Sequence, residues 1–222
     1  MESIIKTRLE KFIGKIEPMI KAIDGPDYYI AQSGLELSPE LLIIGINPAG
    51  KKKLSESIFS SKEPENIIQE GNQYYLNPDW RISKALNYMF SGDNTIEAYK
   101  KANIINYIAI NTANEKELKI DEFKDIVKHC CDFSYDLIYN VLKPKKILLL
   151  GPKVAEFMKI KFHHRNDSVL RTDDDKSYLV IKVEKENIPH YIIFHPSMPA
   201  LNDNHNLNKK KDFFEKIFSS EF

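Results

Sequence analysis

LLIIGINPAG, residues 41–50, places an uninterrupted apolar run directly before a turn that contains Asn47 and Pro48. A short apolar run followed by turn residues is typical of a strand that is buried on both faces of a parallel sheet. A second run of this kind, YIIF at 191–194, leads into the turn HPSM at 195–198. Ligands bind at the carboxyl ends of strands in open α/β sheets, so the two turns together predict a functional site.

The rest of the chain alternates apolar runs with segments of helical periodicity. Strands are predicted at Leu41–Ile46, 103–110, Lys146–Leu150, Tyr178–Val183 and Tyr191–Phe194, the last two as a hairpin arm and a core strand. Helices are predicted over 3–21, around Ile82–Met89, over 121–142, after Gly151-Pro152 and over 209–219, and loops over 51–77 and 163–177. This alternation predicts a single α/β domain over residues 1–222, a three-layer αβα sandwich with a mostly parallel central sheet.

The composition narrows the class of protein. The 32 basic residues balance 32 acidic ones, so contact with a polyanion would depend on local lysine runs such as 51–53 or 209–211. Cys130 and Cys131 are adjacent within a helical pattern, which leaves no cysteine-based zinc or iron–sulfur site and no disulfide framework. A membrane span needs about 18 consecutive apolar residues, and no apolar run in the sequence approaches that length. We therefore expect a cytoplasmic monomer without a membrane segment.

The residues of the two turns have both a chemical and a structural interpretation. Pro48 holds Asn47 in extended backbone, and the amides near Gly50 could approach a phosphate closely. Alternatively, Asn47 only satisfies the backbone amides of its turn. His195 is either a functional residue facing the ligand crevice or a satisfied structural residue. Ser197 follows it too closely to form a Ser–His nucleophile pair, and no Gly-x-Ser-x-Gly sequence is present.

Taken together, the turns resemble two motifs of the uracil-DNA glycosylase superfamily. GINPAG at 45–50 is similar to the first motif of its mismatch-specific and single-strand-selective branches, and HPSM is similar to the second. The sequence INYI at 105–108 falls where the family has a strand-borne Asn that reads the base. LKIDEFKD at 118–125 and KILLLGPKVAEF at 146–157 continue the pattern, so that the resemblance covers roughly residues 40–200.

The resemblance implies a uracil-DNA glycosylase-like fold and a monofunctional enzyme that removes uracil or a related deaminated base from DNA, with no cofactor and no metal. Asn47 would hold the attacking water, and His195 would donate a hydrogen bond to the departing base. Asn106 would read the N3–H and O4 edge of uracil. An aromatic ring would stack on the flipped base, although these rings have core packing as their alternative role. The residues expected to contact the base are Ile46, Asn106, Phe59 and Tyr75, with Tyr74 as a further aromatic candidate.

The implied partner is DNA that contains uracil or other deaminated bases. Its backbone would be bound by small and basic residues near the motifs, and an apolar side chain would fill the gap left by the flipped nucleotide. Alternatively, the lysines near the motifs only form part of the solvated surface. The residues expected to contact DNA or its phosphates are Gly50, Lys51, Lys153, Ser197 and Met198, with Met198 or Leu201 as the wedge.

Three differences from the family pattern leave other functions open, the first being that Met198 and Pro199 replace the proline that commonly follows HPS. Ala49 separates Pro48 from Gly50, and no tyrosine follows Pro48 to exclude the methyl group of thymine. One alternative is a protein of the same fold that binds a base, a nucleotide or DNA without cleaving it. Another is hydrolysis of a small nucleoside, which needs the same polar residues and no basic groove.

Overall fold

The computed structural model describes residues 2–48, 50, 52–56, 63–69, 71–114, 116–198 and 201–219. The helices in this part of the chain are α1 (Glu2–Ala22), α2 (Pro64–Gln69), α3 (Gln73–Leu76), α4 (Arg81–Met89), α5 (Ile96–Lys100), α6 (Lys124–Asp136), α7 (Pro152–Phe157) and α8 (Asn204–Phe218). The strands are β1 (Leu42–Gly45), β2 (Asn103–Asn106), β3 (Ile147–Leu150), β4 (Ser168–Arg171), β5 (Tyr178–Lys185) and β6 (Ile188–Ile193).

The strands form one mixed sheet in the order β2-β1-β3-β6-β5-β4. Strands β2, β1, β3 and β6 are parallel, whereas β5 pairs antiparallel with β6 and β4 pairs antiparallel with β5. The prediction of a mostly parallel sheet is therefore confirmed. The hairpin arm and core strand predicted near the end of the chain are β5 and β6.

The register aligns the carboxyl ends of the four parallel strands. Ile44 lies opposite Ile105 on one side and Leu149 on the other, and Leu149 lies opposite Ile192. Each of these strands continues for one residue beyond that row and then ends. The segments that follow the strands consequently leave the sheet at the same level and on the same edge.

Successive strand residues supply two separate hydrophobic cores, because side chains alternate between the faces of a sheet. Leu42 and Ile44 pack into the core under α1, α6 and α7, whereas Ile43 packs into the core under α4, α5 and α8. All three side chains are fully buried. Helices thus cover both faces of the sheet, as expected for a three-layer αβα sandwich.

Two segments predicted as loops contain regular structure. Within 51–77, α2 begins at Pro64, a residue that suits a first helical turn, and α3 is capped by Asn72, whose Oδ1 accepts a hydrogen bond from the Tyr75 amide at 3.0 Å. Within 163–177, β4 pairs with β5 at the edge of the sheet, with an irregular register. Its side chains are mostly half-exposed, so its sequence lacks the continuous apolar run of a central strand.

Other element bounds also differ from the predictions. The second strand ends at Asn106 rather than at residue 110, because the chain leaves the sheet after it and the Ile108 amide donates to the Ile46 carbonyl oxygen at 2.8 Å. The helix predicted over 121–142 is a 3₁₀ turn, then α6, then a π-helical turn at Leu137–Leu142. The last helix starts at Asn204, where the Asp203 side chain caps it. No helix in the described ranges has the length and apolar character to cross a membrane.

A buried histidine joins the sheet to the π-helical turn. His190 on β6 places Nδ1 2.8 Å from the Ile188 carbonyl oxygen and Nε2 2.9 Å from the Tyr139 hydroxyl. A carbonyl oxygen only accepts, so Nδ1 carries the proton and Nε2 accepts from Tyr139. Burial, aided by the positive charge of Lys185, lowers the pKa of His190 to about 4.

This histidine predicts a loss of stability in mild acid. In the unfolded chain His190 binds a proton near pH 6.5, whereas in the folded chain it does so only near pH 4. The free energy of unfolding should therefore fall as the pH drops from about 6.5 to 4, by up to about 1.4 kcal/mol per pH unit from this group. Urea unfolding between these pH values should give a shallower decline for His190→Gln than for the wild type. The exposed His164→Gln is the control, and equal slopes in all three proteins would contradict the assignment.

Candidate functional site

The two sequence turns lie at one edge of the sheet. Asn47 is two residues beyond the end of β1, and His195 is two residues beyond the end of β6. Only β3 separates β1 from β6 in the sheet. Two strand spacings amount to about 10 Å, so the turns lie close together at the carboxyl edge, the region where open α/β sheets have their ligand crevice.

The amide of Asn47 has a fixed orientation. Its Nδ2 lies 3.1 Å from the carbonyl oxygen of Pro48 and 3.0 Å from Thr112 Oγ1. A backbone carbonyl cannot donate, so the group facing Pro48 must be the NH₂ rather than the oxygen. Asn47 Oδ1 makes no hydrogen bond with the described residues and remains available as an acceptor.

Thr112 reinforces this orientation from the segment that follows β2. Its hydroxyl donates to the carbonyl oxygen of Asn114 at 2.9 Å. Because that donation uses the only hydroxyl proton, Thr112 Oγ1 acts as an acceptor toward Asn47. Thr112 is buried, and its contact with Asn47 links the ends of β1 and β2.

Asn106 stands at the end of β2 directly opposite Gly45. Its Nδ2 donates to the carbonyl oxygen of Tyr29 at 3.0 Å, and its side chain is buried. A Cβ on Gly45 would lie only 3.4 Å from Asn106 Oδ1. The absence of a side chain at Gly45 therefore keeps the space beside this oxygen open.

The hydrogen bonds of His195 define its tautomer. Nδ1 lies 2.7 Å from Ser197 Oγ and accepts from the Ser197 backbone amide at 3.3 Å. A backbone amide only donates, so Nδ1 is unprotonated and the neutral ring carries its proton on Nε2. Nε2–H has no partner among the described residues and is a free donor.

The surroundings of His195 favour this neutral form. Burial lowers the pKa of the imidazole, and the positive charge of Arg81 at the start of α4 lowers it further. Both effects penalise a second proton on the ring. The amino-terminal end of α4 therefore lies near enough to His195 for the charge of Arg81 to act on the ring.

The HPSM turn is held from behind by α8. Asn202 Nδ2 donates to the carbonyl oxygens of His195 at 3.2 Å and Met198 at 2.7 Å. Its Oδ1 accepts from Lys210 Nζ at 2.6 Å, and the same ammonium donates to the Leu201 carbonyl oxygen at 2.7 Å. Lys210 is fully buried, which lowers its pKa to about 8. These bonds fix the backbone from which His195 projects.

The remaining predicted site residues divide between the crevice and other surroundings. Gly50 has φ +150°, and a Cβ there would lie 3.1 Å from Asn111 Nδ2, so a larger residue is disfavoured. Met198 is 45% exposed, and its backbone amide donates to the His195 carbonyl oxygen at 2.9 Å. Lys153 Nζ lies 3.0 Å from a carboxylate oxygen of Glu156, and this ion pair weakens the attraction of Lys153 for a phosphate.

The predicted base contacts are only partly brought together. Tyr75 is exposed on α3, where its ring lies edge-on to Tyr99 rather than against the three polar residues of the crevice. Tyr74 is buried in the core, so core packing is its role. Ile46 is partly buried and packs against the other core. Phe59 and Lys51 lie outside the described residues.

Metal ligation has no support in the part of the chain that the structure describes. It contains no group of three or more His, Cys, Asp or Glu residues that could hold a metal ion. Cys130 and Cys131 are free thiols, and burial raises their pKa values to about 12 and about 11. Both thiols are therefore poorly ionised at neutral pH.

Sequence reasoning missed the residues that orient the site. The sequence patterns indicated no role for Thr112, Arg81 or Asn202, although each lies at the edge that carries the crevice. Thr112 had a local signal, since it belongs to the polar run 111–114 directly after the second apolar run. Arg81 acts on His195 across the fold, and Asn202 bonds to carbonyl oxygens only seven and four residues away, but neither residue directly follows an apolar run.

No family model and no curated protein matches the sequence. The function must therefore be argued from the chemistry of the crevice. Its described polar residues offer a free amide oxygen on Asn47, a free N–H on His195 and a buried amide on Asn106.

The tautomer and the influence of Arg81 can be measured directly. We expect long-range ¹H–¹⁵N NMR to show His195 protonated on Nε2, with a titration midpoint below 6.5. Arg81→Gln should raise that midpoint, because it removes a positive charge that disfavours protonation. Arg8→Gln, which removes a guanidinium paired with Asp136 on another face, should leave it unchanged. A proton on Nδ1, or a midpoint indifferent to Arg81, would refute this description of the site.

Proposed function

We propose that the protein is a monofunctional DNA glycosylase that hydrolyses the N-glycosidic bond of uracil or a related deaminated base in DNA. The observation that carries the proposal is the common end of the parallel strands, where Asn47, Asn106 and His195 lie on one edge. The hydrogen-bonding atoms left free there match the needs of this reaction. The resemblance of GINPAG and HPSM to glycosylase motifs supports the same conclusion.

In the proposed reaction, Asn47 positions the attacking water. The C1′–N bond breaks, the base departs with the electron pair, and the water oxygen bonds to C1′ and releases a proton to solvent. Asn47 Oδ1 accepts a hydrogen bond from that water, because its NH₂ group is already bonded to Pro48 and Thr112. An amide is a poor base, but positive charge on the sugar makes the carbon reactive, so orientation is the main requirement.

His195 stabilises the departing base. As the glycosidic bond breaks, negative charge develops on the base and is shared by its carbonyl oxygens. A donor aimed at such an oxygen lowers the barrier, as in an oxyanion hole. The neutral ring with its proton on Nε2 is suited to this role, and it needs no proton transfer.

Asn106 gives the base selectivity. One hydrogen of its NH₂ group is bonded to Tyr29, and the other, together with Oδ1, is available to a ligand. Uracil presents N3–H as a donor and O4 as an acceptor, which pair with Oδ1 and NH₂ respectively. Cytosine offers the reverse pattern, so in this amide orientation Asn106 favours uracil.

A binding protein without hydrolytic activity is the second candidate. The pairing of Lys153 with Glu156 favours it, because this pair weakens one expected phosphate contact. The chain as a whole also has no net positive charge. Such a protein would use the same crevice to hold a base or nucleotide intact.

Release of free uracil from single-stranded and duplex oligonucleotides separates the two candidates. The wild type should release uracil, and Asn47→Ala and His195→Ala should each lower kcat by about 10²-fold or more. Asn140→Ala, at an exposed amide on the π-helical turn, is the matched control and should retain full activity. Tight binding of the oligonucleotide without any base release would favour the binding protein. Release from free nucleosides alone would favour the nucleoside hydrolase.

Thr112 should act as a positioning residue for Asn47. Thr112→Val keeps the shape of the side chain but removes the acceptor, so the Asn47 amide loses one of its two anchors. We expect kcat for uracil release to fall about 10-fold, with KM little changed. Thr112→Ser keeps the hydroxyl and should restore most of the activity. Equal losses in the two variants would show that packing, and not the hydrogen bond, accounts for the role of Thr112.

A further inference from the structure

The only tryptophan of the chain is exposed at the edge that carries the crevice. Trp80 immediately precedes α4, and 45% of it is accessible to solvent. Leu76, the last residue of α3, is 59% exposed. Both side chains expose apolar surface shortly before α4 in the sequence, and the indole offers a broad flat face for stacking.

The indole is held in place although it is exposed. The buried ring of Tyr74 contacts it in a T-shaped arrangement, with centroids 6.4 Å apart and planes at 74°. The backbone amide of Trp80 donates to the Asn77 carbonyl oxygen at 3.2 Å, and the Trp80 carbonyl oxygen accepts from the Lys84 amide at 3.0 Å. Little conformational entropy would be lost when a ligand stacks on a ring held in this way.

Positive charges without partners flank the indole. Arg81 and Lys84 are exposed and make no ion pair in the described part of the chain, unlike Lys100, which pairs with Glu97. From residue 71 to residue 92, Asp79 is the sole acidic residue. The local charge therefore favours an anionic ligand in spite of the neutral chain.

Topology places this surface beside the crevice. Helix α8 starts shortly after the HPSM turn at the carboxyl edge. The contacts of α4 with α8 follow the same chain order, from Tyr88 with Asn208 to Phe90 with Phe214, so α4 also begins toward the carboxyl edge. The electrostatic effect of Arg81 on His195 agrees with that position. A polynucleotide whose flipped base enters the crevice would pass over Trp80.

We propose that Leu76, Trp80, Arg81 and Lys84, the Trp80 surface, bind single-stranded DNA. An unpaired base stacks on the indole, and the neighbouring phosphates contact the two cations. This inference rests on the proposed function and adds the strand type of the substrate. A single strand fits better than a duplex, because paired bases are already covered by their neighbours and offer no free face to the indole.

The fluorescence of Trp80 reports on this stacking without an added label. We expect a uracil-free single-stranded oligonucleotide to quench the emission of the Asn47→Ala variant in a saturable titration. A duplex of the same sequence should quench it much less. No quenching by the single strand, or equal quenching by the duplex, would overturn the proposal.

Variants test the two parts of the surface separately. With a dye-labelled single strand, Trp80→Ala should weaken binding about 10-fold or more, whereas Tyr135→Ala, an exposed aromatic on α6, should not. The double variant Arg81→Gln, Lys84→Gln should make the negative slope of log K against log salt shallower by about 1.4. Lys143→Gln, an exposed lysine just before β3 at the opposite edge, should leave the slope unchanged. Binding indifferent to both sets of changes would also reject the Trp80 surface.

These measurements stand apart from the test of the proposed function. Uracil-free DNA cannot be hydrolysed, so the titration reports only on the surface. Quenching without uracil release would keep the Trp80 surface and reject the glycosylase. Uracil release without quenching would keep the glycosylase and reject the surface.

Discussion

The common register of the four parallel strands is the constraint on which the rest of the molecule depends. Ile105, Ile44, Leu149 and Ile192 form one row across the sheet, and each strand ends one residue later. A slip of one residue in a strand would exchange its two faces, and each face here belongs to a different core. The hydrophobic cores therefore fix the level at which each strand ends. The same packing that stabilises the fold brings together turns that are about 150 residues apart in sequence.

Hydrogen bonds of fixed direction convert this alignment into a defined site. Asn47 faces a carbonyl oxygen that can only accept, and His195 faces a backbone amide that can only donate. Each partner decides which atom of the side chain remains free. Thr112 and Asn202 add second anchors from the segments that follow β2 and β6. The crevice is therefore organised before a ligand arrives, which limits the entropy lost when one binds.

The sequence predicted the strands at the centre of the sheet better than the elements at its margins. Central strands such as β1 and β3 are buried on both faces and read as continuous apolar runs. The edge strand β4 lacks that signal because its side chains are partly exposed to solvent. The short helix α3 lacks it because the helix has only four residues and depends on its Asn72 cap. The turn motifs indicated the crevice because they directly follow such runs. The Asn47–Thr112 bond and the effect of Arg81 on His195 arise from contacts between distant segments, which no local pattern encodes, whereas the Lys153–Glu156 pair is an i,i+3 contact within α7.

Asn47, Asn106 and the neutral form of His195 carry no charge, which has a chemical consequence. An amide at Asn47 cannot take up a proton, so under the proposed function the water cannot be activated before the glycosidic bond has largely broken. The reaction must then depend on departure of the base, and stabilisation of the negative charge on the base becomes the largest contribution to lowering the barrier. Under the proposed function Arg81 contributes to this in two ways, since its charge adds to the effect of burial in lowering the pKa of His195 and also attracts the departing anion. A cation at this position thus favours both the competent form of the histidine and the product that it stabilises.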